Sequence, residues 1–302
     1  MPRRCFATAP RSKKILRPAR PNSALARTRP TDKLGRMKLG VIGCGKMGSA
    51  LITGAIRAGA VKADQVIGFD PFPAAAESFS KDSGATFTDE LGDLRNCDGF
   101  LLATKPQTAA EALESLTSAG AGDALLVSIA AGLTIDWLQT HSPAGFRVVR
   151  CMPNTPALVG EGASGYARAA DATPEDGDFT RCLLEAVGLA IEVPESMLDA
   201  VTGLSGSGPA YIYRAIEGMV AGGVGCGLPE DQALQLATQT VLGAAKMVKE
   251  TSRPPAELRD NVTSPNGTTL AGLTSLEQNG FHEAIVKAIA AATARSIELG
   301  KG

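Results

Sequence analysis

The stretch "KLGVIGCGKMGSALITGAIRAG", Lys38 to Gly59, constrains the fold more than any other part of the chain. Lys38 to Ile42 reads as a buried strand. Gly43, Gly45 and Gly48 follow at G-x-G-x-x-G spacing. "SALITGAIRAG" then carries apolar residues at helical intervals as far as Gly59, where a helix would stop. Each glycine answers a separate demand. Gly43 permits a tight turn, Gly45 lets the backbone approach a pyrophosphate, and Gly48 lets helix and strand pack closely. Alone, this fingerprint is weak. Between a strand and a helix it points to a dinucleotide whose phosphates face the helix N-terminus. Ile42, Gly43, Cys44, Gly45, Lys46, Met47 and Gly48 are therefore candidate cofactor contacts. The plainer alternative is a glycine-rich turn that binds nothing.

"VIGFD", "GFLLAT", "ALLVSI" and "RVVRCM" repeat the short apolar run, separated by helical or turn segments. Strands alternating with helices predict an α/β domain with a mostly parallel, doubly wound sheet. Ligands of such sheets sit beyond the carboxyl ends of the strands. That rule selects "ATKPQ" (with Ala103, Thr104, Lys105 and Pro106), "SIAAGLT", and "CMPNTP" (with Met152 and Asn154). Lys105 reads as a general acid or, more simply, as a solvated lysine near phosphate or ribose. Asp70 closes "VIGFD" at the position where an acid hydrogen-bonds the ribose 2′-OH and disfavours a 2′-phosphate. It reads equally as a cap on the loop before Pro71.

After "AIEVPESMLDAVTGLSGSGPAY" the strand pattern stops. "GPAYIYRAIEGMVAGGVGCGL" has helical spacing with glycine interruptions. "PEDQALQLATQTVLGAAKMVKE" places Pro229 at a helix start with Glu230 and Asp231 in the first turn, and "FHEAIVKAIAAATARSIELG" runs to Gly300. The expected organisation is a nucleotide-binding domain over residues 37–196 and an all-helical domain over 197–302. So many Ala and Gly residues imply close helix packing. Small faces suit an interlocked homodimer, because a domain of about 100 residues buries little alone; a compact monomeric bundle is the alternative. Between two of these helices lies "VTSPNGTTLAGL". Pro265, Asn266 and Gly267 make a turn, and Thr268 and Thr269 fall where the next helix begins. Free N–H groups at a helix start bind carboxylates. On physics alone, a plain N-cap is the simpler reading.

The whole chain carries 30 Lys+Arg and 31 Asp+Glu, but eleven of the bases and only one acid, Asp32, fall in residues 1–36. The remainder has 19 bases against 30 acids, which argues against nucleic acid as a partner. Residues 1–36 are Arg-, Pro- and Ser-rich without apolar periodicity and are expected to be a disordered basic tail. They read as an organelle transit peptide or as upstream read-through of a start at Met37. The second reading is preferred, and with it the cytoplasm. No apolar run is long enough to span a bilayer. The six cysteines form no C-x-x-C pair and His141 and His282 lack ligand spacing to them, so no metal or disulfide framework is indicated. The thiols read as buried small residues in a reducing compartment.

"GVIGCGKMG", "ATKPQ", "RCMPNTP", "LSGSGPAY" and "VTSPNGTTLAGL" stand in the order seen in pyrroline-5-carboxylate reductases, and from Met37 onward the chain resembles that family. The resemblance implies a Rossmann domain followed by an all-helical dimerisation domain. It implies reduction of 1-pyrroline-5-carboxylate to L-proline, the last step of proline biosynthesis. NADPH, with NADH possible, would be the hydride donor. Backbone amides around Gly267 and Thr268 would hold the substrate carboxylate, Thr269 Oγ would meet the ring nitrogen, and Ser205, Gly206 and Pro209 would border the same site. Two residues depart from the family pattern. Asn266 replaces the first glycine of S-P-G-G-T-T, where its tolerance of left-handed backbone should preserve the turn. Glu90 stands where many members have an Asn near the cofactor ribose. A 3-hydroxyacid dehydrogenase of similar plan would need a catalytic Lys with an Asn four residues on, and Lys246 and Lys249 have Glu250 and Arg253 there. A non-catalytic NAD(P)H-binding redox sensor is the alternative from another class. A chain beginning at Met37 is expected to keep dimerisation and turnover, as gel filtration and a proline-dependent dinucleotide-reduction assay would show.

Overall fold

The computed structural model describes residues 37–300; the expected tail, residues 1–36, and the end of the helical half, residues 301–302, lie outside them. The first half alternates as the apolar runs predict. It comprises β1 (Leu39–Ile42), α1 (Lys46–Arg57), β2 (Val66–Phe69), α2 (Pro73–Ser83), β3 (Thr86–Thr88), β4 (Gly99–Leu102), α3 (Pro106–Ser118), β5 (Leu125–Ser128), α4 (Ile135–His141), β6 (Arg147–Met152), β7 (Gly162–Arg168), α5 (Pro174–Glu185) and β8 (Gly188–Glu192). The strands form one sheet in the order β3-β2-β1-β4-β5-β6-β7-β8. Every neighbouring pair is parallel except β6 with β7. The chain starts in the middle at β1, runs outward to β3, then crosses back to β4. The switch point, where ligands of such sheets bind, therefore lies between β1 and β4.

Strands β1, β4 and β5 are buried at every residue, as the near-continuous apolar runs require. One core cluster joins the sheet to Leu51, Ile52 and Phe79, the other to Leu113, Leu116 and Leu138. Strands β7 and β8 were not marked by any apolar run in the sequence. "GASGYAR" instead uses small residues for close approach. A Cβ on Gly188 would collide with the Gly162 backbone, and one on Gly165 would sit 2.9 Å from Val201. At the sheet edge Leu189 and Ile191 of β8 are exposed.

From Leu198 onward the described chain is helical: α6 (Leu198–Val201), a π-helical turn (Thr202–Gly206), α7 (Gly208–Gly225), α8 (Glu230–Thr251), α9 (Pro255–Asn261), α10 (Thr268–Gln278) and α11 (Phe281–Leu299). Pro229 starts α8 and Gly300 ends α11, as their positions predict. The glycines do let helices close up. A Cβ on Gly223 would lie 3.2 Å from Ala233 Cβ, and Gly203 rests against Thr293 and the Ile289 carbonyl. Yet α7, α9 and α10 bury no residue within one chain, and α8 buries only Ala233 and Ala237. Leu234, Leu236, Leu242 and Met247 of α8 stand exposed. That is the opposite of a compact monomeric bundle. No helix among the described residues is long and apolar enough to cross a membrane.

A polar joint ties the halves directly: Asn154 Nδ2 donates to the Ser205 carbonyl (2.9 Å). On either side of the boundary the connecting segment is fastened to its own half. Glu195 Oε1 accepts from the Ile135 N–H (2.7 Å) and from Arg150 Nη1 (3.0 Å), and Ser296 Oγ of α11 donates to Asp199 Oδ1 of α6 (2.6 Å). The expectation that the cysteines are buried holds for Cys44, Cys97 and Cys151; Cys182 is half-buried, and Cys226, the C-cap of α7, is exposed. Cys5 lies outside the described residues. Burial, with nearby Asp70, pushes the Cys44 thiol up to about 12, so this fingerprint cysteine is no nucleophile.

Asp176 closes the capping box of α5 with Thr173 and also takes two hydrogen bonds from Arg147, at 2.8 and 3.2 Å. Burial pushes its carboxyl up, but the Arg147 and Thr173 donors outweigh burial and hold it below the usual carboxylate range. Its contribution to stability is therefore fully present above about pH 4 and is lost as pH falls through the lowered folded value. Asp176→Asn is expected to cost about 1.5–3 kcal/mol near neutral pH, with the gap to the parent protein narrowing below about pH 4. Urea titrations at the two pH values check this.

Candidate active site

The fingerprint glycines do three different things. Gly43 has φ +102°, donates its N–H to the Phe69 carbonyl (2.8 Å), and would place a Cβ 2.7 Å from the Ala103 carbonyl carbon. A Cβ on Gly48 would collide with the Gly43 carbonyl. Gly45 has φ −70°, open to any residue, and its Cβ would meet nothing within 4 Å. Nothing inside the protein asks for glycine there, so the space is kept clear for something outside it. Gly45 is also the N-cap of α1 and carries no side-chain cap. Ser49 closes the first turn on the Gly45 carbonyl (2.9 Å), leaving the N–H groups of Lys46, Met47 and Gly48 at the open helix start.

In front of this turn runs a groove of about 560 Å³, lined by Ile42, Gly43, Gly45, Asp70, Pro71, Phe72, Leu91, Ala103, Thr104, Lys105 and their neighbours. It collects the carboxyl ends of β1, β2 and β4 at the switch point. A larger hollow, about 860 Å³, runs along the outer face of α1 between Lys46, Arg57 and Val187. It reaches none of those strand ends, so the smaller groove is the better ligand site. Asp70 is pinned at the groove mouth. Its Oδ2 accepts from the Cys44 N–H (2.8 Å) and its Oδ1 from the Phe72 N–H (3.0 Å), so the loop-cap reading is realised. Lys105 is exposed as the N-cap of α3, with Pro106 entering the helix behind it. The Thr104 hydroxyl is buried without a partner. Glu90 is exposed beside the groove and does not line it. Open amides, a space that any side chain would fill, and an apolar slot beyond them fit a dinucleotide.

A second edge of the site forms where β6 ends. Met152 packs on Gly206, whose Cβ would lie 2.6 Å from Met152 Cε. Asn154 is buried. Its Oδ1 accepts from the Ala163 N–H (2.8 Å) while Nδ2 donates to Ser205. Its amide thus serves as a clasp between the β6 loop and the π-helical turn, a function its motif did not reveal. The turn brings Ser205 and Gly206 to this edge, and Pro209 follows in the first turn of α7. Such single-turn π segments recur at functional sites.

The loop before α10 keeps its own company. Asn266 adopts φ +57°, the left-handed turn expected of it. Gly267 is the N-cap, in extended backbone with no side-chain cap, and a Cβ there would collide with Ser264 Oγ. The simple capping reading of the threonines therefore fails. Thr268 and Thr269 are the first two helical residues, and neither caps. The loop's hydrogen bonds stay local, as in Gly267 N–H to the Ser264 carbonyl (3.0 Å), and α10 packs chiefly on α11. One chain thus unites Met152, Asn154, Ser205 and Gly206, while Gly267, Thr268 and Thr269 form a separate group.

A family model for pyrroline-5-carboxylate reductase dimerisation matches residues 195–299, and one for coenzyme F420-dependent NADP oxidoreductase matches residues 38–132. The pyrroline-5-carboxylate reductase of Methanosarcina acetivorans is 48% identical over 230 residues, covering 74% of this chain and 85% of that protein. The Synechocystis enzyme of the same name is 41% identical over 266 residues, 88% of this chain and 99% of its own.

The chain belongs to the pyrroline-5-carboxylate reductase family.

Solved structures agree. The Plasmodium falciparum pyrroline carboxylate reductase with NADP bound superposes with TM-score 0.78 at 34% identity, covering 88% of this chain and 99% of that one. The Coxiella burnetii member gives TM-score 0.83 at 32% identity, covering 89% and 100%. For a member of this family, Gly45→Val tests the groove assignment directly. The variant is expected to fold with an unchanged melting temperature and to lose dinucleotide binding by fluorescence titration, because the new side chain fills the pyrophosphate path.

Proposed function

We propose that the chain reduces 1-pyrroline-5-carboxylate to L-proline with NAD(P)H, the last step of proline biosynthesis. One observation carries the reading beyond family membership. Helices α1 and α10 both begin at a glycine in extended conformation, Gly45 and Gly267, with no side-chain cap. Both keep their first N–H groups free for an anion, a pyrophosphate at α1 and a substrate carboxylate at α10. The bound nicotinamide supplies the hydride, which the substrate's C=N carbon accepts. The residues of this chain bind and orient. The Lys46–Gly48 amides hold phosphate. Ala103, Thr104, Lys105 and Pro106 border the groove, with Met152 and Asn154 at its far edge. The Gly267 N–H, expected in the carboxylate site, is turned to the Ser264 carbonyl (3.0 Å), which leaves the amides of Thr268 and Thr269 for the carboxylate, and Thr269 Oγ hydrogen-bonds the ring nitrogen as it gains a proton. Ser205, Gly206 and Pro209 flank the ring. Such a reaction is carried by orientation, which fits a site built from glycines, prolines and hydroxyls.

The domains divide as 37–196 and 197–302, and the working unit is a homodimer. The uncovered faces of α7, α8 and α10 support this, and association would bring the Gly267–Thr269 group to the Met152–Ser205 edge that it does not join within one chain. Cys44, Cys97, Cys151 and Cys226 are free thiols, which supports a reducing compartment such as the cytoplasm.

Thr269→Ala separates substrate binding from capping. With no cap to lose, thermal stability should hold. kcat/KM for 1-pyrroline-5-carboxylate should fall about ten- to a hundredfold, a loss of roughly 1.4–2.7 kcal/mol of transition-state binding, with dinucleotide affinity kept. A mutant that melts earlier and turns over normally would sink the assignment.

A further inference from the structure

The pinned carboxylate at the groove mouth bears on which dinucleotide the site accepts. Asp70 accepts hydrogen bonds from Cys44 and Phe72 with one oxygen each, so it cannot swing away from the groove it lines. A carboxylate has about four lone-pair directions, and the backbone uses two. The other two suit donors, which the 2′- and 3′-hydroxyls of an unphosphorylated ribose supply. A 2′-phosphate brings only acceptors and a charge of about −1.5 to −2.

The surroundings offer such a phosphate no relief. Pro71, Phe72, Pro73, Ala74 and Ala75 follow Asp70 without a cation or a hydroxyl. The start of α2 is blunted as an anion site. Pro73 has no N–H, and the N–H groups of Ala75 and Ala76 both turn to the Phe72 carbonyl. Lys105, the cation lining the groove, follows β4, which is two strand spacings from β2, roughly 10 Å. Glu111 lines the same groove and adds negative charge. Lys46 opens onto the hollow between α1 and α2, which it shares with Asp82. Arg95, beyond β3, does not line the groove and folds back on the Gly92 carbonyl (3.4 Å).

We infer that Asp70 makes this chain select NADH over NADPH, by holding the ribose hydroxyls and repelling a 2′-phosphate. This rests on the NAD(P)H reading above, but its test needs no turnover. Dissociation constants of the full-length protein for NAD⁺ and NADP⁺ are measured by calorimetry, beside kcat/KM for NADH and NADPH. NAD⁺ should bind at least about tenfold more tightly, and Asp70→Asn should bring the ratio toward one. Phe72→Arg keeps the backbone donor to Asp70 and adds a cation at the groove mouth. It should shift the ratio toward NADP⁺ even if the Asp70 variant fails to fold. Equal or tighter NADP⁺ binding by the parent protein overturns the inference. So does an unchanged ratio in folded Asp70→Asn, or in Phe72→Arg. A clear NAD⁺ preference without reduction of 1-pyrroline-5-carboxylate would leave this inference standing and defeat the proposed function instead. Turnover with no preference would do the reverse.

Discussion

Three backbone segments meet at Gly43, and the site is organised around that meeting. The turn after β1 passes so close to the Ala103–Thr104 peptide that a methyl group would not fit, and α1 returns over it at Gly48 with equal closeness. Because β1 and β4 lie side by side at the switch point, this contact puts the open end of α1 directly over the strand ends. Asp70 then fastens the third segment, the β2 loop, to the same turn through the Cys44 amide. The groove is thus defined by backbone, with side chains as lining. A tight backbone frame is also what a hydride transfer between two flat rings requires, since small misplacements are costly in rate.

Much of this was legible. The fingerprint between a strand and a helix, the apolar runs and the proline and glycine stops led to β1, β2, β4, β5, β6 and the long helices, because each rests on local chemistry. What escaped depends on distant neighbours. Strand β7 is rich in glycine, alanine and serine, which leave no hydrophobic period to read, and β8 is a five-residue edge strand whose Leu189 and Ile191 face outward. Asn154 was marked for its place in a strand-end loop, yet its amide joins Ala163 to Ser205, 51 residues downstream of it, a connection no spacing rule supplies. The threonines of the α10 loop were mistaken for possible caps because the residue before them, Gly267, could not be known to hold that position itself. Asp70 is instructive in another way. Its two readings, loop cap and ribose ligand, looked like rivals, but a carboxylate has lone pairs enough for both.

The bare helices of the second half carry a thermodynamic consequence. A segment such as α8, twenty-two residues long with two of them buried, has little to hold it in place inside one chain. Its apolar surface finds cover when a copy meets a copy, so folding and encounter become a single equilibrium. For such a chain, stability has a concentration axis: dilution acts as a denaturant, and the melting midpoint rises with protomer concentration as it would with any ligand bound by the folded form. On the proposed reading that the site spans two copies, the same mass action reaches the chemistry: the number of complete sites in a solution follows the square of the amount of free chain rather than the amount itself.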